Sequence, residues 1–284
     1  MSFELGQATR VEDARHIGMV ASAFKKKGKP VALVPLRAGV HAGHLSLIAA
    51  AKRIRGAVVI VAYSGADEDD YAVFARSGVD AVFAYSEDTL WPRGLRTTVL
   101  PVDHGLEEPA VIGREVAWHL ALLGVVKPSD VVVGEKDFEV LLGLQRAVKD
   151  FHLGVRVQGV PTVRMADGVP MSLRNTQVPA DAREQASALS AALTAGAHAA
   201  EGGERAVREV VDAVLQAAGI TPEYVQLRAL DGGPAPEQGD ARLFVAATIG
   251  GVRLLDNVGL PLGIGFKNIG EDGRNSARGM GEGV

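Results

Sequence analysis

The sequence predicts an α/β fold: a doubly wound, Rossmann-like parallel sheet followed by a smaller C-terminal α+β domain. Three observations carry this. Short, apolar, β-branched runs recur at residues 31–34, 58–62, 79–84, 131–133 and 155–160. Runs apolar on both faces suit strands buried on both sides of a parallel sheet. Helical stretches alternate with them at 11–26, 44–55, 112–123 and 137–151, the pattern of βα units. After about residue 165 the texture changes. Residues 181–199 are Ala-rich and helical. In 204–218, Val207, Val210, Val211, Val214, Leu215 and Ala218 line one helical face that Gly219 closes. Strand candidates follow at 225–230, 243–248 and 252–255, the first two joined by a Gly/Pro-rich connector. The expected division is a nucleotide-binding domain over 1–162, a small α+β domain over 163–258, and a Gly-rich flexible tail over 259–284.

Composition narrows the function classes. The 284 residues are 47% hydrophobic and 23% charged, enough for a sizeable core. A net charge of −4 argues against nucleic-acid binding driven by bulk charge. With no cysteine, disulfides, thiolate metal sites and a Cys nucleophile are excluded. The N-terminus lacks signal-peptide character and no apolar run approaches a membrane span, so a cytoplasmic protein is expected.

The most informative segment is Pro35-Leu36-Arg37-Ala38-Gly39-Val40-His41-Ala42-Gly43-His44, between the first strand and a helix. It falls at the carboxyl end of a strand, where α/β sheets bind ligands. His41 and His44 are three apart and point the same way, and Gly43 lets an anion approach the backbone. The helix N-terminus adds free N–H donors and partial positive charge, so the pair can stabilise charge growing on a phosphorus. Gly134-Glu135-Lys136-Asp137 repeats the strand-end design: Lys136 can meet a phosphate, Asp137 a ribose hydroxyl or a helix cap. In Met171-Ser172-Leu173-Arg174-Asn175, a hydroxyl and a bidentate guanidinium suit phosphate oxygens. Each motif alone is equally readable as ordinary helix caps, surface side chains or a linker turn. His16, His104, His119, His152 and His198 read as surface or packed histidines without metal-ligand spacing, and His104 stands out by its loop position.

In order and spacing these motifs match one plan. From Val31 to Asn257 the chain resembles the pantothenate synthetase family of the H-x-G-H nucleotidyltransferases. The anchors are H-x-G-H-L-S-L-I from His41, A-K at Ala51-Lys52, and G-V-D-x-V-F from Gly78. W-P at Trp91-Pro92, G-E-K-D from Gly134, D-G-x-x-M-S-x-R-N from Asp167 and R-L-x-D-N from Arg253 complete them. The resemblance implies an enzyme that uses ATP and Mg2+ to adenylate an acid, pantoate, which β-alanine then attacks. It also implies a homodimer acting on small molecules, with neither nucleic acid nor membrane as partner. By the same resemblance His41, His44, Lys136 and Arg174 are the catalytic set. Pro35, Gly43, Gly134, Asp137, Val163, Met171 and Ser172 hold the nucleotide, and no protein metal site is expected.

The acid-binding half departs from the family. P-T-M-G-A-L-H becomes Pro35-Leu36-Arg37-Ala38-Gly39-Val40-His41, and the V-N-P-x-Q-F segment with its pantoate-binding glutamine has no counterpart. Val140 occupies the second glutamine position of K-D-Y-Q-Q, and R-P-G-H-F falls on Glu108 to Ile112. One serine of M-S-S-R-N is Leu173. Two lost polar contacts at ~1–3 kcal/mol each amount to roughly 10² to 10⁴ in discrimination. Arg37, Tyr63 and Asp67 are candidates for new polar contacts, or solvated loop residues. The expectation is therefore an AMP-forming ligase with a diverged acid pocket. A paralogue adenylating another acid and a non-catalytic nucleotide-binding relic are the alternatives.

Overall fold

The computed structural model describes residues 4–264. Six parallel strands form the main sheet: β1 (Thr9–Val11), β2 (Val31–Leu36), β3 (Val58–Tyr63), β4 (Ala81–Ala84), β5 (Asp130–Gly134) and β6 (Arg156–Val160), in the order β1-β4-β3-β2-β5-β6. Successive residues of each strand serve opposite faces. In β2, Val31 and Leu33 pack against α1 (Ala14–Lys26), α5 (Pro109–Val126) and α6 (Phe138–Asp150). Ala32, Val34 and Leu36 pack against α2 (Ala42–Lys52) and α3 (Glu68–Arg76). This two-sided burial is why the strands read as continuous apolar runs.

The strand order reverses between β2 and β5, where a doubly wound sheet opens a crevice. Pairing between them is recorded only at Ala32↔Asp130 and Leu33↔Val131, whereas β2 pairs with β3 over its full length. Beyond Leu33 the two strands therefore part. Pro35, with no N–H to give a ladder, stands in the opening. The strand runs through it to Leu36 instead of ending there.

The second layer is the antiparallel sheet β7 (Tyr224–Ala229), β8 (Gly239–Ile249) and β9 (Val252–Leu262), with α7 (Arg183–His198) and α8 (Gly203–Ala217) on one face. The β8–β9 hairpin turns on Gly250 and Gly251 at φ +55° and +78°, the pair of left-handed residues a type I′ turn needs. Ala241, Leu243 and Val245 face the helices, while Arg242 and Phe244 on the opposite face look towards the main sheet.

Several boundaries differ from expectation. Val11 belongs to β1, and α1 starts after Asp13, whose side chain caps the His16 N–H. α3 and the short α4 (Glu87–Leu90) were not anticipated, since three acidic residues open α3 and hide its apolar face. α5, apolar and eighteen residues long, meets the length and composition of a membrane span, yet half of it is buried in this core. β9 continues to Leu262, so Gly259–Leu262 pair with 239–242 and are not tail. Residues 265–284 of that expected tail lie outside the described residues.

Candidate active site

The loop after β2 is held from below. Gly39 at φ +81° donates its N–H to the Tyr63 hydroxyl at 3.2 Å, and Val40 donates to Asp70 Oδ1 at 3.2 Å. Tyr63 is fully buried and donates to Asp70 Oδ2. Burial above all pushes its phenol up to about 12, so it keeps its proton. Tyr63 thus braces the loop and does not meet a ligand. Asp67 caps α3 through the Asp69 N–H at 3.0 Å. Neither lines the cavity, so of the two readings offered for them new polar contacts to a ligand fall away, and Tyr63 is buried instead of solvated.

The loop delivers His41 as the N-cap of α2. Its Nδ1 accepts the Gly43 N–H at 3.1 Å, which places the proton of the neutral ring on Nε2. The His41 and His44 rings stack with centroids 3.8 Å apart. A Cβ at Gly43 would stand 2.8 Å from His41 Cε1, so glycine is what admits this ring position. Burial chiefly lowers the His44 pKa to about 4, with His41 adding to the effect. His41 is lowered too, first by burial and then by Lys136. His44 Nδ1 is buried, and the Gly39 backbone beside the ring opposes the lowering.

Across the crevice, Gly134 leads into a 3-10 turn, Glu135–Asp137, with Lys136 Nζ 3.3 Å from Asp137 Oδ1. The second layer grips this turn. Asn257 donates to the carbonyls of Lys136 at 2.7 Å and Glu135 at 3.2 Å. Arg242 reaches Glu135 Oε2 at 2.7 Å and Asn257 Oδ1 at 2.6 Å while its guanidinium lies over the Phe138 ring. Of the other polar residues of R-L-x-D-N, Arg253 crosses to Glu107 while also holding Glu223 of its own layer, and Asp256 pairs with Arg164 of the connecting segment at 2.6 Å. A motif read as structural is thus the clamp between the two layers.

The third wall follows β6. Met171 donates its N–H to Val163 O at 2.8 Å, and Ser172 Oγ accepts the Arg174 N–H at 3.2 Å. The Arg174 guanidinium has no carboxylate partner among the described residues. Leu173 covers the first loop: a Cβ at Gly39 would stand 2.8 Å from its Cδ1.

These walls enclose a cavity of about 440 Å³, an ordinary volume for a small-molecule site. It brings together His41, His44, Lys136 and Arg174 with Pro35, Gly43, Gly134, Asp137, Val163, Met171 and Ser172. Val140, Leu173 and Arg37 also line it. Arg37 is engaged: Nη2 lies 2.9 and 2.8 Å from the two Glu115 oxygens, and the guanidinium sits 4.3 Å from the Trp118 ring centre. His104 is absent from the lining and bonds Arg146 at 2.9 Å. The sequence reading missed Glu107, Glu139, Tyr224 and His119, all of which line the cavity. For His119, the four-residue spacing from Val111 through Glu115 was the available signal.

A family model for pantoate-beta-alanine ligase matches residues 9–259. The chain belongs to the pantoate-beta-alanine ligase family. Membership makes it an enzyme of the ligase class. Pantothenate synthetase of Corynebacterium jeikeium (strain K411) is 41% identical over 299 residues, covering 98% of each chain. That of Mycobacterium avium (strain 104) is 39% identical over 297 residues, covering 96% of each. The crystal structure of pantothenate synthetase from Thermus thermophilus superposes with a TM-score of 0.78 at 27% identity, over 88% of this chain and 98% of that one. Pantoate-beta-alanine ligase from Francisella tularensis, complexed with beta-gamma ATP and beta-alanine, shares the fold with a TM-score of 0.71 at 24% identity, over 88% and 97%.

Proposed function

We propose that the protein is an ATP-dependent, AMP-forming carboxylate–amine ligase of the pantothenate synthetase type, with a remodelled acid pocket. The observation that carries this is the convergence of two neutral imidazoles, Lys136 and Arg174, which has no carboxylate partner among the described residues, on one cavity at the switch point of the sheet. The family to which the chain belongs supports it.

The residues present fit a nucleoside triphosphate. Lys136, Arg174 and the two imidazoles at the start of α2 face one cavity, and the positive end of that helix favours an anion there. In this reading Gly134, Asp137 and Val163 hold the nucleoside, while Met171, Ser172 and Arg174 hold its terminal phosphates. A carboxylate oxygen of the acid attacks the α-phosphorus, and the bond to pyrophosphate breaks. His41 donates from Nε2, and Lys136 and His44 meet the remaining charge. The amine nitrogen then attacks the acyl carbon, releases AMP and loses a proton. Among the described residues no group of three His, Asp or Glu side chains gathers as a metal site. Mg2+ fits as an ion carried by phosphate oxygens without a dedicated protein site, and it would neutralise the leaving charge. The reading extends to a homodimer acting in the cytoplasm on small molecules, without nucleic acid or membrane.

The remodelled pocket rests on Val140, apolar where the family pattern has glutamine, and on Arg37, whose charge Glu115 already neutralises. These favour a paralogue adenylating another acid as the second reading. A relic is disfavoured because both imidazoles, Lys136 and Arg174 remain gathered on one cavity. Pyrophosphate exchange into ATP, run with pantoate and a panel of small carboxylic acids, tests the proposal. Exchange with pantoate supports the family reaction, and exchange with a different acid alone names a new substrate. Silence, with no ATP binding by calorimetry, would sink the ligase reading.

A further inference from the structure

α5 presents one stripe to the cavity: Val111, Glu115 and His119, spaced four residues apart. His119 is 7% exposed and its ring meets Trp118 edge-on, with centroids 4.4 Å apart. Trp118 is itself pinned by its indole N–H, which donates to the Tyr85 hydroxyl at 2.7 Å. The ring orientation of His119 is therefore set. Its Nδ1 lies 2.8 Å from the carbonyl oxygen of Glu115, one turn earlier. A carbonyl only accepts, so Nδ1 carries the proton. The ring holds that one proton and no second: burial, aided by Arg37, keeps its pKa below the ordinary histidine value despite Glu115 and Asp137. That leaves Nε2 as a bare lone pair.

No hydrogen bond among the described residues uses Nε2, and the side chain lines the cavity. The apolar side chains Val111, Ile112, Val140 and Leu144 line the same cavity. The nearest charged pair on α5's side, Arg37 and Glu115, is satisfied within itself, and the Asp137 carboxylate also acts on the ring. A fixed acceptor without a donor selects a ligand that brings a donor, because a mismatch leaves a buried polar atom unpaired.

We infer that His119 determines acid specificity: its Nε2 accepts a hydrogen bond from a hydroxyl on a short acid with a compact aliphatic body. The inference rests on the proposal that the acid occupies this half of the cavity. It relocates polar recognition from the erased glutamine positions to α5.

The test titrates the full-length protein calorimetrically with paired acids: pantoate against its 2-deoxy and 4-deoxy analogues, and 2-hydroxy-3-methylbutanoate against 3-methylbutanoate. The wild type should prefer the hydroxylated member of at least one pair tenfold or more. His119→Leu should bring that ratio below threefold while ATP affinity stays unchanged. In the wild type, the imidazole ¹⁵N resonance of Nε2 should move on saturation with the preferred acid, a readout that does not depend on a variant folding. An unchanged ratio in the variant, an unmoved Nε2 resonance, or no binding by any acid would each overturn the assignment. Pyrophosphate exchange on the same acids separates the two claims. Discriminating binding without exchange and without ATP binding refutes the ligase reading and leaves His119 standing. Exchange indifferent to the hydroxyl does the reverse.

Discussion

Asn257, in the last strand of the small sheet, donates to the backbone carbonyl of Lys136 at 2.7 Å across 121 residues of chain. The bond fixes the cation of the main sheet from a separate layer, so the site exists only when both layers are docked. Asn257→Leu leaves the Glu135 and Lys136 carbonyls and the Arg242 guanidinium short of a partner. A loss of about 1–3 kcal/mol is expected, together with a raised KM for ATP. Urea denaturation and initial rates check this; unchanged values in both would remove Asn257 from the positioning of Lys136.

Lys136→Ala should lower pyrophosphate exchange by about 10² or more with the fold intact, since the side chain stands at a strand-end loop. His44→Ala should act in the same direction. Circular dichroism verifies folding, and a deficit under about threefold at saturating ATP would contradict the assigned roles.

Acid should destabilise the protein through His44. Its folded pKa of about 4 lies below the unfolded value of 6.5, so the unfolded chain binds more protons between these limits. Stability therefore rises with pH through that window, is complete above it, and falls as pH drops from 6.5 towards 4. The loss from pH 7 to 5 is about 2 kcal/mol for this group. His41, His104 and His119 are lowered in the same sense. His44→Gln should flatten the profile, as urea midpoints at the two pH values will register; an identical slope argues that His44 is not buried neutral.

Gly39 and Leu173 should couple. Gly39→Ala meets Leu173 Cδ1 at 2.8 Å and strains a residue at φ +81°, which costs about 1–2 kcal/mol by itself. The terminal methyl can shift, so the contact should appear as weaker closure of the Ser172–Arg174 segment and a higher KM for ATP. Leu173→Ala in the Gly39→Ala background should recover part of the loss, with a coupling of about 0.5–3 kcal/mol. Strict additivity would show that the two residues act independently.

Local pattern made much of this molecule readable. Two-sided apolar runs announced β2, β3 and β5, because a strand covered on both faces needs apolar residues throughout. The His41–His44 and Gly134–Asp137 loops were legible because a strand-end turn before a helix is set by neighbouring residues alone. α3 was not, since Glu68, Asp69 and Asp70 mask the face that buries Phe74. β9 ran past its expected end because Gly259 and Pro261 look like loop in isolation, yet pair with Arg242 and Asp240.

The α/β class and the strand-end loops follow from short-range periodicity and turn chemistry, the set of site residues was implied by the family resemblance, and all of these are written in the chain itself. What the polar groups are free to do is settled by packing in three dimensions. Tyr63 is spent bracing the Gly39 loop, Arg37 is neutralised by Glu115, and His119 keeps one nitrogen open. Each outcome depends on partners 24 or 78 residues away for Tyr63 and Arg37, and on which face of α5 is buried for His119. A side chain's availability is set by what packs against it, and packing is not a local property of the chain.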